Sequence, residues 1–526
     1  MSNIKGFLYV TLGVLGLLLV QFWFQQSALT TTVKAQPPHH IEQSELSPIN
    51  KNGLVSIEND TIKVTIDSIG GKVVKTELKS FYRTIKQKEF VELFGFGKTF
   101  QYFALSGYQG DEALKFSITK QTKDVLEISA KQDNMVHVKR FDFSDTPYTI
   151  KQTNSLRNES FNKKDVRSYT ALLSMHESAE DTSAKKFHPG EIQSNNGGWL
   201  AIPTYAGASY FTEDKPFTKL TYAEIQKGFQ PKKIVGGWFA LQTRYFLNAW
   251  IPYANSTNTL QAFWDDGNGV STSKMVLQMI GPSISVNPDQ QIETIQQLYS
   301  GPEIEDILHS ITPGLDLTID YGWLWLLSHW MFWLMEQFHT VVQNWGITII
   351  LITALIKVVF YSMSEKAYIS GLKMKKIQPR IKNIQEKFKD DPDSKNKAIL
   401  EIYQKEKINP VGGCLPLFIQ LPFLVALYWV LIESVQLRHA SFLWIPDLAS
   451  YDPLYILPVT LGLGMFLQQK MTPTALDPAQ EKAMLVVPFM MTFLFSRFPS
   501  GLALYMLTNA FLTALQQWFF SKKYNK

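Results

Sequence analysis

The chain has 526 residues, which excludes a single ordinary core and predicts two or more structural units. Apolar residues make up 45% of the chain and the formal net charge is +5, an excess too small to assign a partner. The single cysteine, Cys414, excludes an intramolecular disulfide. These averages conceal an asymmetry: residues 25–320 are polar and strand-like, whereas residues 321–526 contain long uncharged runs.

An apolar run of 19 residues, from Gly6 to Phe24, follows Lys5 near the start of the chain. The apolar region of a cleaved signal peptide has roughly 7–15 residues, and a membrane-spanning helix needs about 20. We therefore predict that residues 1–24 form an uncleaved signal-anchor with its N-terminus in the cytoplasm; a cleaved signal is the alternative. Residues 25–52 have no periodic apolar face and are predicted to be a linker.

Residues 53–320 alternate between apolar and polar side chains, as at Ile62, Val64 and Ile66, with turn signals such as Gly70–Gly71. This period of two predicts a large antiparallel β-sandwich, which is periplasmic if the first span leaves the cytoplasm. No nucleotide-binding loop, zinc-protease histidine pair or nucleophile elbow occurs, so no catalytic residue, metal ligand or cofactor is predicted. An aromatic stretch with Trp238 and Trp250 could line a sugar cleft, but sandwich core is the preferred interpretation.

Residues 321–343 are rich in tryptophan and carry interspersed polar side chains. Because aromatic residues favour the headgroup zone, we predict an amphipathic helix lying on the periplasmic membrane surface. Residues 344–363 follow as a predicted second span, long enough as a helix to cross a bilayer. Its apolar run contains one charged residue, Lys357.

Residues 364–410 contain a predicted basic hairpin of two helices, broken at the Asp390–Asp393 sequence. Twelve basic and seven acidic residues give residues 364–409 a net charge of +5. Two interpretations remain open: a solvated hairpin that marks the cytoplasmic side, or a docking surface for the ribosome or a substrate. The basic residues assigned to such docking are Lys373, Lys375, Lys376, Arg380 and Lys382.

Residues 411–520 contain four further apolar runs, at about 411–432, 454–470, 484–498 and 500–520. Lysines fall on alternate sides of these runs, and residues 521–526 form a basic tail. By the positive-inside rule this predicts six spans with both termini in the cytoplasm. The fold class is therefore a polytopic α-helical membrane protein with one large soluble domain.

A lysine at the position of Lys357 costs roughly 2.5–3.5 kcal/mol on membrane-insertion scales. Its side chain either snorkels to the cytoplasmic surface or faces a hydrated groove inside the bundle. Polar residues on several spans could line the same groove or form interhelical hydrogen bonds. These residues are Thr353, Gln420, Gln468, Gln469, Tyr505, Thr508 and Asn509.

Residues 409–416, 420–423 and 426–428 resemble the third-span motif of the Oxa/YidC/Alb insertase family. Further resemblances cover nearly the whole chain in order and spacing. They lie at 236–238 and 301–303, as in the Gram-negative periplasmic domain, and at 321–325, 344–346, 469–471 and 498–502.

The resemblance implies a membrane protein insertase and chaperone of the Gram-negative inner membrane, which is not an enzyme and uses no cofactor. Five spans would enclose a hydrophilic groove whose positive charge attracts a substrate's polar or acidic tail. The soluble domain would be a β-supersandwich similar to that of sugar mutarotases. Expected partners are nascent inner-membrane proteins, the phospholipid bilayer, the Sec translocon and, if the hairpin docks it, the ribosome; no specific nucleic acid is expected.

Two positions depart from the family pattern. Lys357 stands where the family usually has arginine, so the charge is kept but the planar fork of donors is lost. Met506, also assigned to the groove, follows Tyr505 where an aromatic residue is common. Two alternative functions are a membrane-anchored periplasmic sugar-binding protein, which leaves the later spans unexplained, and a small-molecule transporter, which predicts inverted repeats that the sequence lacks.

Overall fold

The computed structural model of the protein describes residues 53–85, 88–96, 100–144, 146–177, 205, 207–252, 256–265, 272–388, 391–406, 415–471 and 484–524. The predicted first span, the linker and Cys414 lie outside these residues. Within them, strands dominate up to Pro302, and helices dominate from Glu305 onward.

The first eleven strands are β1 (Leu54–Glu58), β2 (Ile62–Asp67), β3 (Lys72–Tyr82), β4 (Phe90–Glu92), β5 (Gly95–Phe96), β6 (Phe100–Tyr108), β7 (Ser117–Gln121), β8 (Val125–Gln132), β9 (Met135–Phe143), β10 (Thr149–Asn158) and β11 (Lys164–Glu177). The remaining strands are β12 (Gly207–Phe211), β13 (Thr218–Leu220), β14 (Lys232–Val235), β15 (Trp238–Gln242), β16 (Phe246–Pro252), β17 (Thr257–Asp265), β18 (Thr272–Val286) and β19 (Gln291–Pro302). A short helix, α1 (Tyr222–Gln226), precedes β14.

The strands form two antiparallel sheets. The ten-stranded sheet has the order β1-β2-β3-β6-β11-β18-β17-β14, with β4 beside β3 and β5 beside β6. The nine-stranded sheet has the order β13-β12-β15-β16-β19-β10-β9-β8-β7. Ile62, Val64 and Ile66 alternate along β2 and are at most 1% exposed, because their shared face packs into the core. The predicted antiparallel β-sandwich is confirmed.

The aromatic stretch around β15 and β16 belongs to the sandwich core. Trp238 and Trp250 are both 0% exposed. The Trp250 indole N–H donates to the Ala171 carbonyl at 3.0 Å and thereby joins the nine-stranded sheet to the ten-stranded one. Because buried indoles need such a partner, this bond stabilises the packing of one sheet on the other. The interpretation of these tryptophans as core residues is confirmed.

A buried polar network lies in the same core. The carboxylate of Asp111 accepts hydrogen bonds from Lys139 at 3.1 Å and from the Tyr169 hydroxyl at 2.7 Å. The Lys139 ammonium also donates to the Gly70 and Ser106 carbonyls, each at 2.8 Å. All three donors of this lysine are therefore used within the protein, as a buried ammonium requires.

Glu112 lies beside this network and is also buried. Burial and the neighbouring Asp111 carboxylate raise its pKa to about 7. Burial favours the neutral acid because a carboxylate loses its hydration there. These ionisable groups are enclosed by the sandwich, so the Glu112 carboxylate form is disfavoured in the folded protein.

The helical part contains α2 (Glu305–Ile311), α3 (Trp325–Val342), α4 (Trp345–Val359), α5 (Tyr361–Lys387), α6 (Pro392–Lys405), α7 (Leu415–Glu433), α8 (Ile456–Met471), α9 (Val487–Phe495) and α10 (Ser500–Tyr524). The α5–α6 hairpin follows α4, and an arm-to-arm ion pair joins Arg380 to Glu406 at 2.7 Å. The connection between α7 and α8 holds the start of α10, since Ser500 and Gly501 donate backbone hydrogen bonds to Ser450 and Leu448.

Helix α3 joins the sandwich to the helical bundle. Its inner face buries Met331 and Met335, both 0% exposed, while the Trp330 and Trp333 side chains are about half exposed. Just before the helix, Gly322 adopts a left-handed φ of +66°. A Cβ atom there would lie 2.8 Å from the Trp429 ring of α7, so only glycine fits without displacing that ring.

Helices α4 and α5 meet at a 63° bend. Among the described residues no single helix is by itself long and apolar enough to cross a membrane, whereas α4 and α5 together meet that requirement by length and composition.

Two arginines, one from the sandwich and one from the bundle, join these two parts of the protein. Arg244, between β15 and β16, donates to the Ile432 carbonyl at 2.8 Å, near the end of α7. Arg438, which follows α7, donates to the Tyr82 and Arg83 carbonyls at 2.8 and 3.0 Å. We call this pair, Arg244 and Arg438, the arginine clamp. Carbonyls at a helix C-terminus lack helical partners and carry partial negative charge, so Arg244 is well placed to stabilise this end.

Replacing Arg244 or Arg438 with alanine is expected to loosen the sandwich from the bundle, because hydrogen bonds from charged donors contribute about 1.5–3 kcal/mol each. Hydrogen–deuterium exchange of the full chain in detergent should show faster exchange at residues 434–448. Arg140→Ala is the matched control, since Arg140 pairs with Asp142 within the sandwich at 2.9 Å. Unchanged exchange at residues 434–448 in both clamp variants would contradict a role of these arginines in joining the sandwich to the bundle.

Replacing Glu112 with glutamine is expected to remove a pH dependence of stability. The folded-state pKa, about 7, exceeds the ordinary 4.5, so this stabilisation is complete below pH 4.5 and is lost as the pH rises through 7. The parent should lose up to roughly 3 kcal/mol relative to Glu112→Gln between pH 4.5 and 8. Thermal unfolding of the full chain at several pH values measures this. Glu213→Gln, at an exposed position, serves as the control. Identical profiles of stability against pH for the parent and Glu112→Gln would refute this role of Glu112.

Candidate functional site

Lys357 lies in the last turn of α4, and its ammonium is directed at a neighbouring helix. The Nζ atom donates to the Thr513 hydroxyl of α10 at 2.7 Å. The Gln516 side-chain amide, also on α10, donates to the Lys357 backbone carbonyl at 3.3 Å. Helix α10 therefore contacts this one residue at both its side chain and its backbone. The side chain is half-buried, and the contact to Thr513 directs it between helices.

Helix α10 carries a polar stripe along one side. Spacings of three and four residues place its members on the same face of the helix. The members are Tyr505, Thr508, Asn509, Thr513 and Gln516. Other positions of α10 carry large apolar side chains that are exposed. These side chains are 40–67% exposed, namely Phe511, Leu515, Trp518 and Phe519.

Tyr505 extends the polar contacts to a third helix. Its side chain is 1% exposed, and its hydroxyl interacts with the Gln420 side chain of α7. The structure thus brings two residues of the predicted groove, Tyr505 and Gln420, into direct contact. Since Lys357 also bonds to α10, polar side chains of α4, α7 and α10 meet along the stripe.

The other predicted groove residues differ in their surroundings. Thr353 is 1% exposed, and its hydroxyl donates to the Ile349 carbonyl of its own helix at 2.6 Å. Asn509 is 7% exposed. Four more are half-buried, with Gln468 and Gln469 near the end of α8, and Met506 and Thr508 on α10. The Thr353 hydroxyl thus bonds within its own helix and not to Lys357, although the two residues are one helical turn apart.

Thr513 and Gln516 are the contacts that sequence reasoning missed. The signal was present, because the predicted Thr508–Asn509 pair continues at helical spacing to Thr513 and Gln516. They lie near the C-terminal end of the last apolar run, where polar residues are easily assigned to the membrane surface. The bond to Lys357 could be found only by placing α4 against α10.

The α5–α6 hairpin presents the predicted docking residues at its surface. Lys373, Lys375, Lys376 and Lys382 are exposed. Arg380 is exposed too, but its guanidinium pairs with Glu406 of the other arm. Ile377 of the same helix is 5% exposed, in contrast to these lysines. The four lysines therefore belong to an accessible basic surface, which other exposed lysines of the hairpin extend, namely Lys366, Lys387, Lys397 and Lys405.

Comparison with known families divides the chain into two parts whose boundary lies within α3. Residues 54–334 match the family described as the YidC periplasmic domain. Residues 337–526 match the family described as the 60Kd inner membrane protein. Together these matches account for almost all of the described residues.

Curated relatives extend over most of the chain. A protein from Pseudomonas putida (strain W619), named membrane protein insertase YidC, is 34% identical over 499 residues, covering 91% of this chain and 86% of that protein. A protein of the same name from Pseudomonas fluorescens (strain SBW25) is 34% identical, covering 91% and 85%. A crystal structure described as an active YidC insertase with its first transmembrane domain resolved aligns at 17% identity, with 92% and 96% coverage and a TM-score of 0.38. By the family matches and the curated relatives, the chain belongs to the YidC family of membrane protein insertases.

Proposed function

We propose that this chain inserts membrane proteins through a hydrophilic groove formed by α4, α7, α8 and α10, with Lys357 as its positive charge. The observation that carries this proposal is the 2.7 Å contact from the Lys357 ammonium to Thr513. A lysine that snorkels to a membrane surface extends away from the neighbouring helices, whereas this one is held against a polar stripe. The remaining groove residues are Thr353, Gln420, Gln468, Gln469, Tyr505, Met506, Thr508 and Asn509.

The groove would lower the barrier to moving a short hydrophilic segment across the bilayer. A carboxylate in hydrocarbon is costly because it loses its hydration, and polar side chains with a nearby cation replace part of it. The apolar segment of the substrate then partitions into lipid, which supplies the driving force without nucleotide hydrolysis. The proposed action involves no covalent chemistry.

Exposed apolar side chains support the placement of these helices in lipid. Val358, Phe489 and Phe511 are 67–71% exposed on α4, α9 and α10. Soluble proteins rarely expose large contiguous apolar patches, so such surfaces are expected to be covered. We accordingly propose six spans with both termini in the cytoplasm, of which five form the bundle: 344–363 and the four spans within 411–520.

The remaining domain assignments follow from this orientation. The sandwich, 53–320, would lie in the periplasm, anchored by the span and linker at 1–24 and 25–52. Helix α3, within 321–343, would lie on the outer membrane surface through its exposed tryptophans. The basic hairpin, 364–410, and the tail, 521–526, would face the cytoplasm.

We further propose that the partners include nascent inner-membrane proteins, the bilayer and the Sec translocon. The exposed lysines of the hairpin offer a surface for the anionic ribosome. The sugar-binding alternative is not favoured, because Trp238 and Trp250 are enclosed in the core. The transporter alternative is not favoured either, because the relatives are named as insertases.

Lys357 variants test the groove charge. In cells depleted of their own insertase, Lys357→Arg should support growth and insertion of a single-span substrate with an acidic tail. Lys357→Ala should reduce insertion about tenfold, and Lys357→Glu should reduce it further, since the sign of the charge is then reversed. Lys366→Ala is the matched control, an exposed lysine on α5. Full activity of Lys357→Glu would rule out attraction by a positive charge.

A deletion series tests whether the sandwich is needed for insertion. Removing 55–300 while keeping α3 should leave insertion within about twofold of the parent, because the polar stripe and its helices remain. Extending the deletion through 343 should abolish it, since α3 packs Ser328 against α7 by a 3.3 Å hydrogen bond to Ala426. Loss of insertion in the shorter deletion, with normal membrane levels, would contradict a dispensable sandwich.

A further inference from the structure

We propose that Thr513 is a positioning residue that holds the Lys357 ammonium inside the groove, with Gln516 fixing the backbone from which that side chain extends. This inference rests on the proposed function of Lys357 as groove charge. It concerns two residues of α10 that lie outside the predicted site.

The hydroxyl of Thr513 is oriented to accept a hydrogen bond. Its own hydrogen is donated to the Asn509 carbonyl, four residues earlier in α10, at 2.7 Å. The oxygen therefore presents a lone pair away from the helix backbone, and Lys357 donates to that oxygen at 2.7 Å. Because an ammonium has three donors and no acceptor, it needs such oxygens wherever water is scarce.

Gln516 acts on the backbone of the same residue. The Lys357 carbonyl lies in the last turn of α4, where carbonyls have no partner further along the helix. Gln516 donates to this carbonyl at 3.3 Å, and the chain bends by 63° immediately afterwards. Helix α10 thus fixes both the origin and the end of the Lys357 side chain.

Lysine makes this positioning necessary. An arginine at residue 357 would reach further and present five donors in a rigid fork, so several acceptors could serve it. A lysine side chain has four rotatable methylene groups and a compact charge, and it can extend along the helix toward a membrane surface. The bond to Thr513 favours the inward rotamer over that outward one.

The test compares Thr513→Val, which keeps the shape but removes the acceptor, with Thr513→Ser, which keeps the acceptor. Each full-length variant is assayed for insertion of one single-span substrate, whose short tail carries either two aspartates or two asparagines. Thr513→Val should lower insertion of the aspartate substrate about five- to tenfold and the asparagine substrate much less. Thr513→Ser should match the parent.

Two further variants separate positioning from packing. Thr492→Val is the matched control, because the Thr492 hydroxyl also donates to a carbonyl four residues earlier, that of Pro488, at 2.9 Å. In the Lys357→Arg background, Thr513→Val should lose less than twofold, since arginine depends less on one acceptor. If Thr513→Val does not accumulate in the membrane, Thr513→Cys, with its weakly accepting sulfur, is expected to show the same selective loss.

The outcomes distinguish this inference from the proposed function. If Lys357→Ala inserts both substrates as well as the parent, the groove charge itself is refuted. If Lys357→Ala fails on the aspartate substrate while Thr513→Val and Thr513→Cys match the parent, only the positioning role is overturned. Equal losses for both substrates, or an undiminished loss in the Lys357→Arg background, would also overturn it, because such losses indicate a packing role.

Discussion

A positive charge within an apolar helical bundle must find oxygen atoms to replace its water, and the arrangement of α4, α7 and α10 depends on this requirement. Lys357 donates to Thr513, and Gln516 binds the carbonyl of the same residue. These contacts fix how α4 lies against α10. The contact between Tyr505 and Gln420 then joins α7 to the same face. One ammonium and the stripe of polar side chains that receives it thus supply polar contacts among three helices.

The β-sandwich is joined to this bundle by polar contacts from both parts of the protein. Arg244 reaches from the sandwich to the end of α7, and Arg438 reaches from beyond α7 to the end of β3. Two buried acids, Glu303 and Glu433, lie close to this junction. Burial and the Glu433 carboxylate raise the pKa of Glu303 well above its ordinary value. Arginine suits such a junction because its planar donors bind carbonyls and stack on rings; the Arg438 guanidinium lies 5.8 Å from the centre of the Phe246 ring.

Local sequence patterns predict much of the fold and part of the candidate site. The alternation at Ile62, Val64 and Ile66 indicated strands because burial of one sheet face imposes a period of two. Lys357 stood out because a lone charge in an apolar run is costly. The arginine clamp escaped notice because its contacts join residues 188 and 356 positions apart. Thr513 escaped notice because a threonine near a helix end is unremarkable until its neighbour is known. The break after Val359 carries no proline or glycine, so the sequence did not mark it.

The close approach of Gly322 to Trp429 has a mechanical consequence. There is no room for even a methyl group between this backbone and the indole ring, and the left-handed φ of +66° disfavours any other residue there. Two groups in such close contact cannot approach further, so a displacement of one displaces the other. A displacement of α7 toward Gly322 would therefore have to move the start of α3 with it, because Trp429 already lies in contact with that backbone.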